Sequence, residues 1–329
     1  MSLLKKILVT GGAGYIGAHV CKLLAKSGFE PIVYDNLSTG HRSFVRWGPL
    51  IIGDLLDTAK LIKTIKDFHP LGVIHLAANA YVGESVNNPL KYYKNNVGGT
   101  LSLIEAMKLV GTLDKIVFSS SCAVYGVPKA STNITEDCIQ SPVNPYGRTK
   151  LMVEKILLDL STIKELKFIS LRYFNAAGAD KDMEIGELHS PETHLIPLAI
   201  LSGMSGSLVR IFGIDFPTND GTAVRDYIHV EDLAKAHVLS VKYLLNNSSS
   251  EFINLGTGRG YSVNEILSAI RSLGVKVKAE NAPKRIGDPP CLIADASKAK
   301  RILGWEPECK DIYEILNSAI RWHQYSIQK

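Results

Sequence analysis

Thr10-Gly-Gly-Ala-Gly-Tyr-Ile-Gly17 is where the hydrophobic period of the chain changes, and that change decides the fold. Before it, Lys6-Ile-Leu-Val9 is a short apolar run of the kind that forms a strand buried on both faces. After it, Ile16, Val20, Leu23 and Leu24 recur at the spacing of one helix face. A glycine-rich joint between such a strand and such a helix is built to hold the pyrophosphate of a dinucleotide. Gly11 permits the tight turn, Gly14 lets backbone approach the phosphates, and Gly17 lets the helix close on the strand. The helix N-terminus adds free N–H groups and a partial positive charge. Gly11, Gly14, Tyr15, Ile16 and Gly17 are therefore the first expected cofactor contacts.

Outward from the loop the alternation repeats. Ile32-Val33-Tyr34 reads as a second strand ending in Asp35, whose carboxylate can take the ribose hydroxyls and would repel a 2′-phosphate, which favours NAD over NADP. Arg42 nearby reads as a solvated surface residue. Leu50 to Asp54 is a third strand, with Asp54 and Leu55 placed beside the adenine. Val73 to Leu76 is a fourth, and the small Ala77 and Ala78 after it suit close approach of the cofactor. Helices are expected over 92–110 and 144–163 and strands over 115–120 and 167–173. The sum is an α/β fold, a doubly wound parallel sheet of the Rossmann kind with ligands at the carboxyl ends of its strands.

After Asn175 the regular alternation stops. Residues 176–225 are rich in Gly, Pro and charge, with one short helix from Leu195 to Leu201. We divide the chain into a dinucleotide-binding domain, 1–175, and a smaller C-terminal substrate lobe, 176–329. A segment of about 226–256, carrying strands 226–229 and 251–255, returns to the main body. A further strand is expected at 275–278 and an amphipathic helix at the end.

The 329 residues, 46% hydrophobic and 21% charged, fit an ordinary globular protein. The net charge of +5 is spread along the chain, which argues against a nucleic-acid surface. No apolar run reaches membrane-spanning length. Cys21, Cys122, Cys138, Cys291 and Cys309 are odd in number and lack CxxC spacing, the pattern of reduced thiols in a cytoplasmic protein.

Tyr146-Gly-Arg-Thr-Lys150 opens the helix after strand five, and its i, i+4 spacing sets Tyr146 and Lys150 on one face. An ammonium beside the phenol, with a positive nicotinamide nearby, favours phenolate and lowers the tyrosine pKa toward working pH. Tyr146 then serves as general acid and base, and Lys150 as its tuner and a ribose ligand. Ser119-Ser120-Ser121, at the end of strand five, offers hydroxyls for the same substrate oxygen.

With these residues in place the chain resembles the extended short-chain dehydrogenase/reductases, and among them the UDP-sugar 4-epimerases that interconvert UDP-glucose and UDP-galactose. The resemblance spans almost the whole chain. It is carried by 11–17, Asp-Asn-Leu-Ser-Thr-Gly (35–40), Val-Gly-Glu-Ser (82–85), 119–121 and Asn-Pro-Tyr-Gly-Arg-Thr-Lys (144–150). It continues through Leu-Arg-Tyr-Phe-Asn (171–175), 220–230, Asn-Leu-Gly-Thr-Gly (254–258) and Arg-Ile-Gly-Asp (285–288).

The resemblance implies that Ser121, Tyr146 and Lys150 are catalytic, and it adds Asn36, Asn95 and Phe174 to the NAD contacts. It implies that Asn175, His194, Leu195, Arg225, Arg285, Asp288 and Leu292 line the UDP-sugar site. Two arginines suit a diphosphate through charge-assisted, bidentate bonds. The implied reaction oxidises C4 of the sugar, turns the 4-keto intermediate and reduces its other face. The helices over 92–110 and 147–163 resemble those that pair two subunits, which implies a homodimer.

The chain departs from the family at Ala80, where some members have a lysine for the cofactor phosphate, at His194, often asparagine, and at Leu292, often tyrosine or a smaller residue. Cys122-Ala123 after Ser121 disfavours a 4,6-dehydratase, which needs an acidic pair there. UDP-pentose and UDP-N-acetylhexosamine 4-epimerases remain alternatives, with a non-catalytic NAD-binding protein well behind them. His189, Glu192 and His194 have no fixed helical spacing and no third histidine, so no metal site is expected.

Overall fold

The structure, a computed structural model, describes residues 5–128, 133–246, 249–285 and 287–327. Ile286, within the 285–288 motif, lies outside the described residues. The main sheet uses β1 (Lys5–Thr10), β2 (Phe29–Asp35), β3 (Leu50–Ile52), β4 (Gly72–His75), β5 (Lys115–Ser119) and β6 (Lys167–Tyr173). β7 (Asn175–Ala177), β8 (Leu208–Phe212) and β9 (Val224–His229) lie elsewhere, whereas β10 (Glu251–Leu255) returns beside β6. The order is β10-β6-β5-β4-β1-β2-β3 with every pair parallel, so the topology reverses between β1 and β4. That switch point is where such sheets bind ligands.

One face of the sheet is covered by α1 (Tyr15–Lys26), the other by α2 (Thr58–Phe68). α3 (Val82–Asn87) and α4 (Pro89–Tyr92) are short, and α5 (Gly99–Val110) and α6 (Pro145–Thr162) complete the α2 side. α7 (Leu195–Ser205) belongs to the second lobe, while α8 (Val230–Leu245) packs on α1. β11 (Gly260–Ser262), α9 (Val263–Ser272), β12 (Lys278–Ala282), β13 (Cys291–Leu292), α10 (Ser297–Leu303) and α11 (Ile312–Ile327) follow. The second lobe has its own apolar core from α7, α9 and α11, including Ile196, Ile200, Ile266, Ile270 and Leu316. No helix among the described residues is long and apolar enough to cross a membrane.

Four expectations need correction. The strand containing Asp226 begins at Val224 and does not join the main sheet: β9 pairs with β7, β11 and β13 in a small separate sheet. Within 226–256 only β10 joins the main sheet, and α8 covers its α1 side. The strand expected at 275–278 lies instead at Lys278–Ala282, paired with β8. Val275 and Val277 are apolar because they close the second core, whereas β12 itself is half-exposed and carries no apolar signal. The helix over 92–110 is interrupted at Tyr93–Gly98 by a wide turn with π-type bonding, a feature frequent at functional sites. The short helix from Leu195 runs on past Leu201 to Ser205.

β6, α6 and β10 are locked together by a buried ion pair. Arg172 donates to both carboxylate oxygens of Glu154, Nε to Oε1 at 2.9 Å and Nη2 to Oε2 at 2.8 Å, with the two side chains 4% and 2% exposed. Ser170 Oγ also donates to Glu154. Arg172 Nη1 donates to the Tyr125 hydroxyl, which in turn donates to Asn254 on β10. Arg172→Met leaves Glu154 buried without its cation and should cost about 3–5 kcal/mol. Denaturant unfolding should show most of that loss recovered in Arg172→Met/Glu154→Leu. Equal losses in the single and double variants would mean that lost packing sets the cost.

Candidate active site

The glycine loop is shaped from inside and outside by different constraints. Gly11 has a positive φ of 73°, and a Cβ there would meet the Ala77 amide nitrogen at 2.6 Å. A Cβ on Gly17 would run into the Gly11 carbonyl, so α1 can start this close to β1 only without a side chain. Gly14 is different. The only atom near a Cβ there is the Gly11 oxygen at 3.4 Å, an ordinary contact, so the space Gly14 leaves is not claimed by the chain. No side chain caps α1 at Gly14. An open helix N-terminus beside space for a ligand fits a diphosphate.

Asp35, at the carboxyl end of β2, is 8% exposed and accepts from the amides of Ala13 (3.0 Å) and Leu37 (2.8 Å). Burial raises its pKa while those two amides pull it down. The bonds orient the carboxylate and leave lone pairs for ribose hydroxyls. Asn36 donates to Asp54, and Leu55 is buried among Tyr34, Leu61 and Val73. Ala77 N donates to the Thr10 carbonyl at 3.1 Å, which holds β4 against the loop. Tyr15 turns its phenol to the Gly178 carbonyl at 2.6 Å, and Ile16 packs on the α1 core, so their side chains fasten the helix. The described donors and spaces therefore fit NAD.

At the end of β5, Asn144 caps α6 by accepting from Gly147 N at 2.8 Å, with Pro145 in the first turn. This cap sets Tyr146 and Lys150 on the first two turns of α6. Gly147 lets α6 approach the Ala123 carbonyl, which a Cβ would meet at 2.5 Å. Ser121, Tyr146 and Lys150 are all brought together and buried. Ser121 accepts from Ala123 N at 3.2 Å, and its hydroxyl favours the charged form of the Tyr146 phenol. Lys150 Nζ donates to the Ser119 carbonyl at 2.7 Å and lies 5.8 Å from the Tyr146 ring centre.

The chain's own electrostatics oppose the phenolate. Burial pushes the Tyr146 phenol well above its ordinary value, and Tyr173 pushes the same way, opposed by the Ser121 hydroxyl. Burial also pushes Lys150 down to about 7, with Glu154 acting weakly against it. Taking charge out of water outweighs the attraction between ammonium and phenolate at this separation. The expected lowering rested on ammonium and nicotinamide together, and the burial of both side chains acts against it.

Asn95 donates to Asn96 Oδ1 at 3.0 Å. Sequence reading missed Asn96, which is buried and bonds Asn79 in both directions as well as the Thr149 hydroxyl on α6. It ties the loop after β4 to the catalytic helix. The sole signal was a pair of amides inside an otherwise helical apolar pattern. His75 was also missed: it bridges the Thr10 and Thr100 hydroxyls at 2.7 and 2.8 Å, and burial pushes it down to about 3, so it is neutral. Asp226 accepts from Thr257, Gly258 and Ala294 amides and fixes β9 beside β13.

The expected substrate residues divide. Leu292 packs in an apolar cluster with Cys122, next to Ser121, and Phe174, an expected NAD contact, lies in the same cluster. Asn175 lies in register with Tyr227 across β7 and β9. Arg225, opposite Leu292 across β9 and β13, donates to the Val224 carbonyl, and no carboxylate pairs with it among the described residues. Arg285 instead pairs with Asp288 at 2.7 Å, is 59% exposed and lies over Phe212. His194 is not free for a nucleotide at Nδ1, which is held by Glu187 at 2.7 Å and Glu192 at 3.1 Å, and Leu195 begins α7 against the second core.

A doubly wound sheet with this loop, and a Ser–Tyr–Lys set at the ends of its strands, defines an enzyme of the extended short-chain dehydrogenase/reductase class. The chain belongs to the NAD dependent epimerase/dehydratase family, whose profile matches residues 7–256. It is 49% identical over 324 residues to the UDP-glucose 4-epimerase of Rhizobium leguminosarum bv. trifolii, covering 98% of each chain. Among solved structures it is similar to UDP-glucose 4-epimerase from Brucella ovis in complex with NAD, at 50% identity and a TM-score of 0.93, covering 96% of this chain and 98% of that one. It is also similar to the Bifidobacterium longum enzyme in complex with NAD+ and UDP, at 36% identity and a TM-score of 0.93, covering 98% and 99%.

The Lys150 amine gives a direct check on this electrostatic picture. NMR of the ligand-free protein labelled at lysine Cε should show one resonance titrating near pH 7, ammonium below and neutral amine above, and absent in Lys150→Met. A midpoint near the ordinary lysine value would mean that water reaches the amine.

Proposed function

We propose that the protein is an isomerase that interconverts UDP-glucose and UDP-galactose, using resident NAD. The observation that carries this reading is the buried Ser121–Tyr146–Lys150 set beside the glycine loop, in a chain that matches UDP-glucose 4-epimerases over nearly its full length. Bound NAD would supply reversible hydride chemistry at sugar C4, so that nothing is oxidised overall. Gly11, Gly14, Gly17, Asp35 and Lys150 hold it. Ser121 hydrogen-bonds the sugar O4, and Tyr146 Oη takes the O4 proton as C4 is oxidised. After the sugar turns, Tyr146 returns that proton to O4. Lys150 and the cofactor's charge together stabilise the phenolate in a pocket that burial otherwise sets against it.

Arg225, which no carboxylate pairs with among the described residues, is the cation for the diphosphate, helped by Asn175; Arg285 and Asp288 join when their mutual ion pair opens to the nucleotide. Leu292 is branched and apolar, with nothing to offer an amide. An N-acetyl group buried there without a partner loses about 1–3 kcal/mol, enough to favour the unsubstituted hexoses by about 5- to 150-fold. A UDP-N-acetylhexosamine or UDP-pentose substrate is the second reading.

The protein also forms a homodimer in this proposal. Leu101 and Leu109 on α5 and Met152 and Leu158 on α6 are 44–64% exposed, an apolar face that a second copy would cover. We assign it to galactose metabolism in the cytoplasm, in keeping with five cysteines that are all free thiols.

A coupled assay on UDP-galactose without added NAD should show turnover, and denatured protein should release NAD. Absence of the nucleotide, with no activity on adding it, would refute the reading. Tyr146→Phe keeps the ring and loses the proton carrier, so UDP binding should survive while kcat falls by about 10² or more. Sedimentation should give twice the monomer mass, shifting toward monomer in Leu101→Glu/Leu158→Glu.

A further inference from the structure

Within the loop that precedes α7, Glu187, His189, Glu192 and His194 bring one donor atom each to a common point. All four atoms lie within 4.8 Å of one another. Both histidines use Nδ1: His189 reaches Glu187 at 3.2 Å and Glu192 at 3.6 Å, and His194 reaches the same carboxylates at 2.7 and 3.1 Å. Bonds of about 2.0–2.1 Å to a tetrahedral zinc ion place its donors about 3.3 Å apart, within the spread seen here. The carboxylates are 7% and 6% exposed, so they are not ordinary solvated surface acids.

A third feature points to the same place. The Tyr81 hydroxyl is buried with no hydrogen-bond partner among the described residues. Its ring lies 5.9 Å from that of His189, and the charges on Glu192 and Glu187 bear on it. We propose that this cluster is a binding site for a divalent transition metal of the zinc class, with two imidazole nitrogens and two carboxylate oxygens as ligands. Two imidazoles disfavour calcium and magnesium, which take oxygen ligands. One divalent cation balances the two carboxylates.

The neighbouring acidic group shows the contrast. Asp180, Asp182 and Glu184 also converge, but the Lys22 ammonium occupies their centre at 2.6–2.8 Å. Among the described residues no side-chain cation other than the two imidazoles pairs with the carboxylates of the four-residue cluster. The loop is gripped on several sides. Trp322 of α11 donates to the Glu187 carbonyl at 2.9 Å, His41 bonds the Leu188 carbonyl at 2.7 Å, and His189 stands edge-on to Tyr15 of α1. A metal here pins the second lobe to the helix that starts at the glycine loop. This is a structural site: none of its four ligands belongs to the Ser121–Tyr146–Lys150 set.

The test titrates zinc against chelator-treated holoprotein in the presence of a chromophoric competitor. We expect one ion per chain at micromolar affinity or tighter. His189→Asn/His194→Asn should weaken it by about 100-fold or more, beyond the 10–100-fold typical of losing an outer partner. His194→Asn alone, at a half-exposed position, should weaken it measurably while the NAD content and circular dichroism stay unchanged. The cobalt-substituted protein should show a tetrahedral visible spectrum without thiolate-to-cobalt charge transfer. Equal zinc affinity in parent and variants, or thiolate bands pointing to the cysteines, would overturn the proposal.

Discussion

Gly17 lies so close to the Gly11 carbonyl that not even a methyl group fits between them. Because of that approach α1 begins directly at the carboxyl end of β1, with its open N-terminus over the switch point of the sheet. The same helix then fixes the rest of the molecule. Its inner face packs on α8. Tyr15 reaches the Gly178 carbonyl, and Lys22 reaches three carboxylates of the 180–184 segment. The start of the second lobe is thus tied to the element that receives the dinucleotide, and cofactor and substrate sites are held in one frame.

The catalytic pocket depends on desolvation as much as on proximity. Tyr146 and Lys150 are both nearly water-free, and burial works against each of their charged forms. A lysine with one backbone carbonyl as its bonded partner is costly in an empty site. A positively charged ring and ribose hydroxyls change that balance. The hydroxyls give the ammonium acceptors, and the ring stabilises the phenolate.

Local pattern made most of the main sheet legible before any coordinates were known. Strands buried on both faces are continuous apolar runs, and amphipathic helices carry their own period, so β1 to β6 and the helices between them could be read within a few residues. Local pattern failed where burial came from a different cause. Val275 and Val277 looked like a strand because they are apolar, yet they plug the second core. β9 has the composition of a main-sheet strand, but the small sheet of β7, β11 and β13 claims it. Nothing in a strand's own residues says which neighbour it pairs with.

The site shows the same division more sharply. Ser121, Tyr146 and Lys150 were legible because their chemistry depends on residue type at fixed spacing on one helix and one strand end. Asn96 was not, because its value lies in reaching Asn79 and Thr149, and an amide in a helix does not announce its partners. Glu187 was missed for a related reason. Metal-ligand spacing is recognisable in sequence when a helix or a tight turn imposes it, as at i and i+4. Here the ligating side chains are spread over an irregular loop, and it is the packing of that loop between α1 and α11 that turns them inward. Residue type alone therefore identifies chemistry that one element can assemble, and chemistry assembled by packing between elements becomes visible only in three dimensions.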